Sequence, residues 1–224
     1  MIARPLRQSA GPGRRVLAVA VGILAVIGAG IALERTRSVV EVLGGGPLPA
    51  PGSYEASFAE KPFVTLLHVL PGLAFMVLGP FQFLPRLRAK YLAVHRWSGR
   101  ICIGAGLVAG LTALVLAFRQ AFGGPLETAA TVLFAPFFLF ALARAWLHVR
   151  RREVAAHREW MIRAFAIGLA VASMRPLAGL AMVATGRPLQ DVLGAVFWLA
   201  FLLHWLLAEA WIRRSRRAGG RATS

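Results

Sequence analysis

Residues 101–118 read ICIGAGLVAGLTALVLAF and lie between Arg100 and Arg119. No charge interrupts the run. At about 1.5 Å per residue a helix of this length crosses most of the ~30 Å hydrocarbon core of a bilayer. The run lacks the strict alternation of a barrel strand, so its class is a membrane helix. The same pattern recurs on both sides. Val16–Leu33 and Pro62–Leu84 are uncharged, as is Thr128–Ala143. Trp160–Met182 is apolar except for Arg163 and Arg175, and Val192–Ile212 except for His204 and Glu209. The reading is an all-α, polytopic transmembrane bundle with six spans.

Composition agrees. The chain has 224 residues, of which 58% are hydrophobic and 16% charged, with a mean hydropathy of +0.65. A soluble domain carries about 25% charged residues. The formal charge is +17, but the basic residues sit between apolar runs. The polyanion they suit is a layer of anionic lipid headgroups, and nucleic acid is not an expected partner. A lone cysteine, Cys102, excludes an internal disulfide and a Cys-rich metal or iron–sulfur site.

The basic residues also orient the spans, because Lys and Arg accumulate in cytoplasmic loops. Arg4, Arg7, Arg14 and Arg15 precede the first span. Arg86, Arg88, Lys90, Arg96 and Arg100 lie between the second and third. Arg144, Arg150, Arg151, Arg152, Arg158 and Arg163 lie around the fourth-to-fifth connection, and Arg213, Arg214, Arg216, Arg217 and Arg221 follow the sixth. The alternate connections are nearly neutral. Both termini are therefore expected in the cytoplasm. The organisation reads as a basic N-terminus (1–15), an anchor helix (16–33), an external Gly/Pro-rich loop (34–61), a five-helix membrane domain (62–212) and a basic tail (213–224). The first span is longer than the apolar core of a signal peptide, and no clear small-x-small cleavage site precedes a polar start, so it reads as a retained anchor.

Gly99, Gly106 and Gly110 share one face of the third span, and Gly72 and Gly79 are a heptad apart in the second. Small residues allow the close approach that drives helix association in lipid. These glycine-lined faces also offer a surface to a second copy of the chain. Pro136 and Pro176 fall inside spans. Trp97, Trp146, Trp160 and Trp211 fall at the basic ends, where aromatic side chains anchor in the interface.

The polar residues within this frame are the candidates for function. On the outer side, His68 and Arg175 both lie roughly 9–10 Å below the surface, counted along their helices. A charge inside a span costs at least about 2.5 kcal/mol on insertion scales, so Arg175 should be paired. Glu127 and Asp191, at the outer ends of the fourth and sixth spans, are its expected partners. This level reads as a structural ion pair or as an anion or propionate clamp. On the inner side, His95 and His157 occupy matched contexts, His95-Arg96-Trp97-Ser98-Gly99-Arg100 and His157-Arg158-Glu159-Trp160-Met161-Ile162-Arg163. Each precedes a helix crossing in the same direction, which suggests a two-helix repeat. His148 lies near both and His204 deeper, roughly 12 Å in.

A bis-histidine haem needs two axial nitrogens at one depth. His68 has no outer-side partner, so a two-haem arrangement is not satisfied. A single haem b on the cytoplasmic side is compatible with the inner set. No H-E-x-x-H motif or carboxylate cluster marks a zinc site, and no metal is assigned. There is no nucleophile triad and no phosphate loop, so no catalytic residue is named.

The strings Leu67-His68-Val69-Leu70-Pro71-Gly72, Gly79-Pro80-Phe81-Gln82-Phe83-Leu84-Pro85-Arg86-Leu87-Arg88, His95-Arg96-Trp97-Ser98-Gly99-Arg100 and His157-Arg158-Glu159-Trp160-Met161-Ile162-Arg163 resemble the uncharacterised bacterial membrane-protein family called domain of unknown function 2306. The resemblance covers about residues 60–210 and implies a multi-pass architecture in a bacterial inner membrane, with no activity attached. A looser similarity, through histidines near helix ends, is to haem-bearing cytochrome b561-type bundles. Three readings of function stand: a haem- or redox-associated protein using the inner histidines, a small-molecule or ion transporter using the His68/Arg175 level, and a non-catalytic scaffold.

The charge pattern makes a direct prediction. Reporter fusions after Arg88, Glu153 and Arg217 should report a cytoplasmic location, and one after Ser53 an external one. A cytoplasmic signal at Ser53 reverses the orientation.

Overall fold

The computed structural model describes residues 12–119 and 121–220. Arg4, Arg7 and Arg221 of the basic termini lie outside the described residues. The chain forms α1 (Pro12–Leu43), α2 (Tyr54–Ala59), α3 (Pro62–Gln82), α4 (Pro85–Lys90), α5 (Leu92–Arg119), α6 (Gly124–Arg150), α7 (Val154–Thr185) and α8 (Leu189–Gly220), with no strand among the described residues. All but the short α2 and α4 are long and apolar enough to cross a membrane. The protein is membrane-embedded and all-helical.

The boundaries follow from local chemistry. Prolines occupy the first turn of α3, α4 and α6, where a missing N–H costs nothing. Ser53 caps α2 by accepting from the Ala56 N–H at 3.1 Å, and Gly186 closes α7 in the left-handed region at φ 67°. Pro136 and Pro176 sit within continuous helices.

Helices extend beyond the apolar runs because their charged ends are paired. α1 continues to Leu43, past the expected end at Leu33. There Arg37 bridges Glu34 at 2.7 Å and Glu41 at 2.5 Å, one turn to either side, and Val39 is buried. The segment expected as a plain loop is helical at both ends, in α1 and α2, and irregular between. It packs inward: Thr65 on α3 donates to the Phe58 carbonyl at 2.9 Å, and Tyr54 meets Phe122 edge-on at 5.4 Å.

α3, α5, α6 and α7 form the central bundle. α1 covers α3 and α7, and α8 covers α6 and α7. The basic loops 83–91 and 151–153 share one end of the bundle, here called the basic end; α2 and the 121–123 and 186–188 connections share the far end.

Phe75 is the central knob. It meets Phe138 edge-on at 5.4 Å and Phe165 at 5.9 Å. Its ring fits because Gly106 and Gly168 face it: a Cβ on Gly168 would lie 2.7 Å from the ring, and one on Gly106 2.8 Å from Leu142 and 3.0 Å from Phe75. Gly110 admits Leu139 in the same way, and Gly79 admits Phe165. The glycine face of α5, on which a second copy was expected to pack, is therefore filled by this chain's own α3 and α6. Gly72 alone of the expected set faces open space.

A Gly106→Leu substitution should overpack this joint and destabilise the bundle by about 1–3 kcal/mol or more. Gly72→Leu should leave stability nearly unchanged. Unfolding followed in detergent micelles checks the contrast, and equal stability of the two variants would contradict the socket.

Candidate functional site

At the basic end, the sharp α6–α7 turn sets the geometry. Arg152 takes a left-handed φ of 63°, an uncommon conformation for a residue with a Cβ. His148 pairs with Glu153 across the turn, and that hydrogen bond holds the Glu153 carboxyl below its ordinary range. The turn brings the start of α7 back onto the end of α6, where the His157 Nδ1–H donates to the Ala145 carbonyl at 2.9 Å. A carbonyl only accepts, so the proton is on Nδ1 and Nε2 keeps a free lone pair.

His95, on α5, lies within electrostatic range of His157, Arg88 and Arg96. Its Nδ1 is buried with no hydrogen-bond partner. The Nε of Arg144, next in sequence to Ala145, is also buried without one. These are the two such side-chain atoms among the described residues. Two guanidinium groups lie over the Trp160 ring, Arg144 at 5.6 Å and Arg163 at 4.6 Å from its centroid, with Phe140 against it edge-on at 5.4 Å.

The four inner histidines do not converge. His204 is buried on α8, where its Nδ1–H donates one turn back to the Ala200 carbonyl at 3.0 Å. It has no part in the electrostatic surroundings of His95, which are His157, Arg88 and Arg96. His148 is engaged by Glu153. His95 and His157 remain as the pair. Among the described residues no three His, Cys, Asp or Glu side chains gather to hold a metal.

The far end differs from expectation in its pairing. His68 does not join Arg175: its Nδ1 faces α5, 3.0 Å from the Ala109 carbonyl and 3.1 Å from Thr112 Oγ1. Glu127 and Asp191 are not the partners of Arg175 either. The Glu127 carboxylate accepts the Gly123 N–H at 2.6 Å and so caps α6, and Asp191 is exposed in the first turn of α8. Both carboxylates stand where a helix N-terminus favours negative charge. Arg175 instead reaches Glu55 on α2 at 3.9 Å and lies 4.6 Å over the Tyr54 ring. Glu55 is primarily held by Arg35 of α1, a buried guanidinium that grips it with both arms, the longer at 3.3 Å. Arg35 also stacks 4.0 Å from the Phe58 centroid. Burial in this cluster pushes the Tyr54 phenol above its ordinary range.

A family model described as "Predicted membrane protein (DUF2306)" matches residues 65–212. The chain belongs to this family. The DUF2306 match takes in the paired histidines, Arg144 and Arg175, and leaves α1 and α2 outside. No curated protein and no solved structure matches the chain.

Sequence reasoning missed the acid partners. In this DUF2306 chain, Arg163 donates from Nε to Glu209 Oε1 at 2.5 Å and from Nη2 to Oε2 at 3.1 Å. Arg216 donates to Glu159 at 2.6 Å beside it. Two forks thus join α7 to α8 at the basic end. The signal was available: Arg163 and Glu209 are opposite charges inside apolar runs near the same end, and such charges are expected to pair.

The Arg163–Glu209 side chains are only 14% and 21% exposed. A double-mutant cycle of Arg163→Ala and Glu209→Ala should give a coupling of about 1 kcal/mol or more, the double variant losing less than the sum of the singles. Coupling near zero would mean that the fork holds nothing.

Proposed function

We propose that this protein resides in a bacterial plasma membrane with both termini cytoplasmic, and that it binds a redox cofactor at its basic end between α5, α6 and α7. The observation that carries this reading is the pair of buried, unpartnered atoms, His95 Nδ1 and Arg144 Nε, beside His157. Buried polar atoms are almost always satisfied, and an unsatisfied one calls for a ligand, water or catalytic role. Two of them at one end, with His157 Nε2 free for ligation, suit a ligand with a nitrogen-seeking centre and an anionic edge. A single b-type haem has that chemistry: His95 and His157 would serve the iron and Arg144 a propionate. His157 carries the support common to ligating histidines, its other ring nitrogen tied to a backbone carbonyl.

The transporter reading loses its motivation, because His68 and Arg175 have separate partners. His68 is instead a bridge between α3 and α5.

Protein purified from a haem-replete host should show a Soret band that shifts on reduction. His95→Ala and His157→Ala should each remove or displace it, whereas His204→Ala and His148→Ala should retain it. A folded, colourless protein under these conditions overturns the haem assignment, and a band that survives both the His95 and the His157 substitutions overturns the site.

A further inference from the structure

We infer that the groove at the far end, between α1, α2 and α7, binds the phosphate of a membrane phospholipid, with Arg175 as the recognising group. The site is separate from the histidine end and does not rest on that reading.

The groove has a volume of about 270 Å³ and is lined by Gly30, Ile31, Glu34, Arg35, Glu55 and Arg175. Its charges are unequally committed. Glu34 is taken by Arg37 on the same helix at 2.7 Å. Glu55 is gripped by both arms of the buried Arg35. Arg175 is held differently: its guanidinium lies on the Tyr54 face, and its nearest carboxylate oxygen is 3.9 Å away, beyond hydrogen-bond length. Among the described residues no hydrogen bond occupies its fork. The net charge of the Arg35, Arg175 and Glu55 trio is positive by one, and it resides on the planar guanidinium of Arg175, a side chain 41% exposed. Such a fork matches phosphate oxygens two at a time.

The walls decide between a lipid phosphate and a dissolved one. Gly30 and Ile31 belong to the apolar run that ends at Leu33, and Glu34 and Arg35 follow it directly. The groove therefore straddles the boundary between hydrocarbon and headgroups, which is where a phospholipid carries its phosphate. A Cβ on Gly30 would meet no atom within 4 Å, so the apolar half of the groove is open over that glycine. A glyceryl ester and the start of an acyl chain fit there; a free anion gains nothing from an apolar wall.

The full-length protein in detergent micelles tests this by native mass spectrometry, titrated with phosphatidylglycerol, diacylglycerol and inorganic phosphate. Phosphatidylglycerol should be retained as a discrete adduct and diacylglycerol should not. Arg175→Gln should weaken retention about tenfold or more, the loss expected for a charge-assisted bidentate contact. Gly30→Leu keeps every charge and fills the groove, so it should weaken retention as well, and it serves if the arginine variant folds poorly. Arg119→Gln, at the end of α5, should bind as the parent protein does. Equal retention of diacylglycerol, undiminished binding by both groove variants, or displacement by inorganic phosphate at the concentration of the lipid would each overturn the assignment.

Discussion

Hydrocarbon offers a peptide group no partner except another peptide group, and the rest of this structure is arranged around that constraint. It forces every spanning segment into a helix, which satisfies its own N–H and C=O groups. It also governs the polar side chains that remain inside. His68, His157 and His204 each place Nδ1 within 3.0 Å of a backbone carbonyl, because a carbonyl can accept a second bond where water is scarce. The consequence is chemical: in all three rings the proton is fixed on Nδ1 and the basic lone pair on Nε2. His95 departs from the pattern, and that departure gives the basic end its functional interest.

The same constraint removes the usual force between helices. Lipid tails are as apolar as leucine, so helices in a bilayer associate through packing and polar contacts rather than through expulsion of water. Here the packing is aromatic into glycine. Phe75 reaches across the bundle only because Gly106 and Gly168 have no Cβ to meet it. The polar contacts are arginine forks, one set joining α7 to α8 at Glu209 and Glu159, another joining α1 to α2 at Glu55. The Arg35 and Arg163 side chains are largely buried in their forks, whereas Arg216 stands exposed.

The spans were legible in the sequence because their signal is local. An uncharged run such as 101–118 identifies itself without knowledge of its neighbours. Helix ends were less legible. The charged turn Glu34–Glu41 reads as loop by hydropathy, yet it is helical because Arg37 satisfies acids on both sides and Val39 finds a burial site. The candidate site was half legible. The matched contexts of His95 and His157 are a sequence property, and the two do lie within electrostatic range of each other. Which acid meets Arg175 is not a sequence property. Depth along a helix is countable, but rotation about its axis and the choice of neighbour are not. Glu127 and Asp191 were near enough in depth and wrong in direction, while Glu55 sat in a segment with no spanning pattern to place it.

The two ends of the bundle have different standing with respect to the family. The match to DUF2306 begins at residue 65, so it contains the whole histidine end, including His95, Arg144, His157 and the Arg163–Glu209 fork. Of the far-end groove it contains Arg175 alone. Without α1 and α2, Arg175 would lose Tyr54 beneath it and Glu55 beside it, and would stand on the bundle surface as an arginine free to snorkel. α1 and α2 convert that exposed cation into a walled site: α1 supplies the floor at Gly30 and Ile31, and Arg35 neutralises the carboxylate that would otherwise close on Arg175. The histidine end is thus a property of the five-helix core, and the far-end groove is a property of the helices this chain places over it.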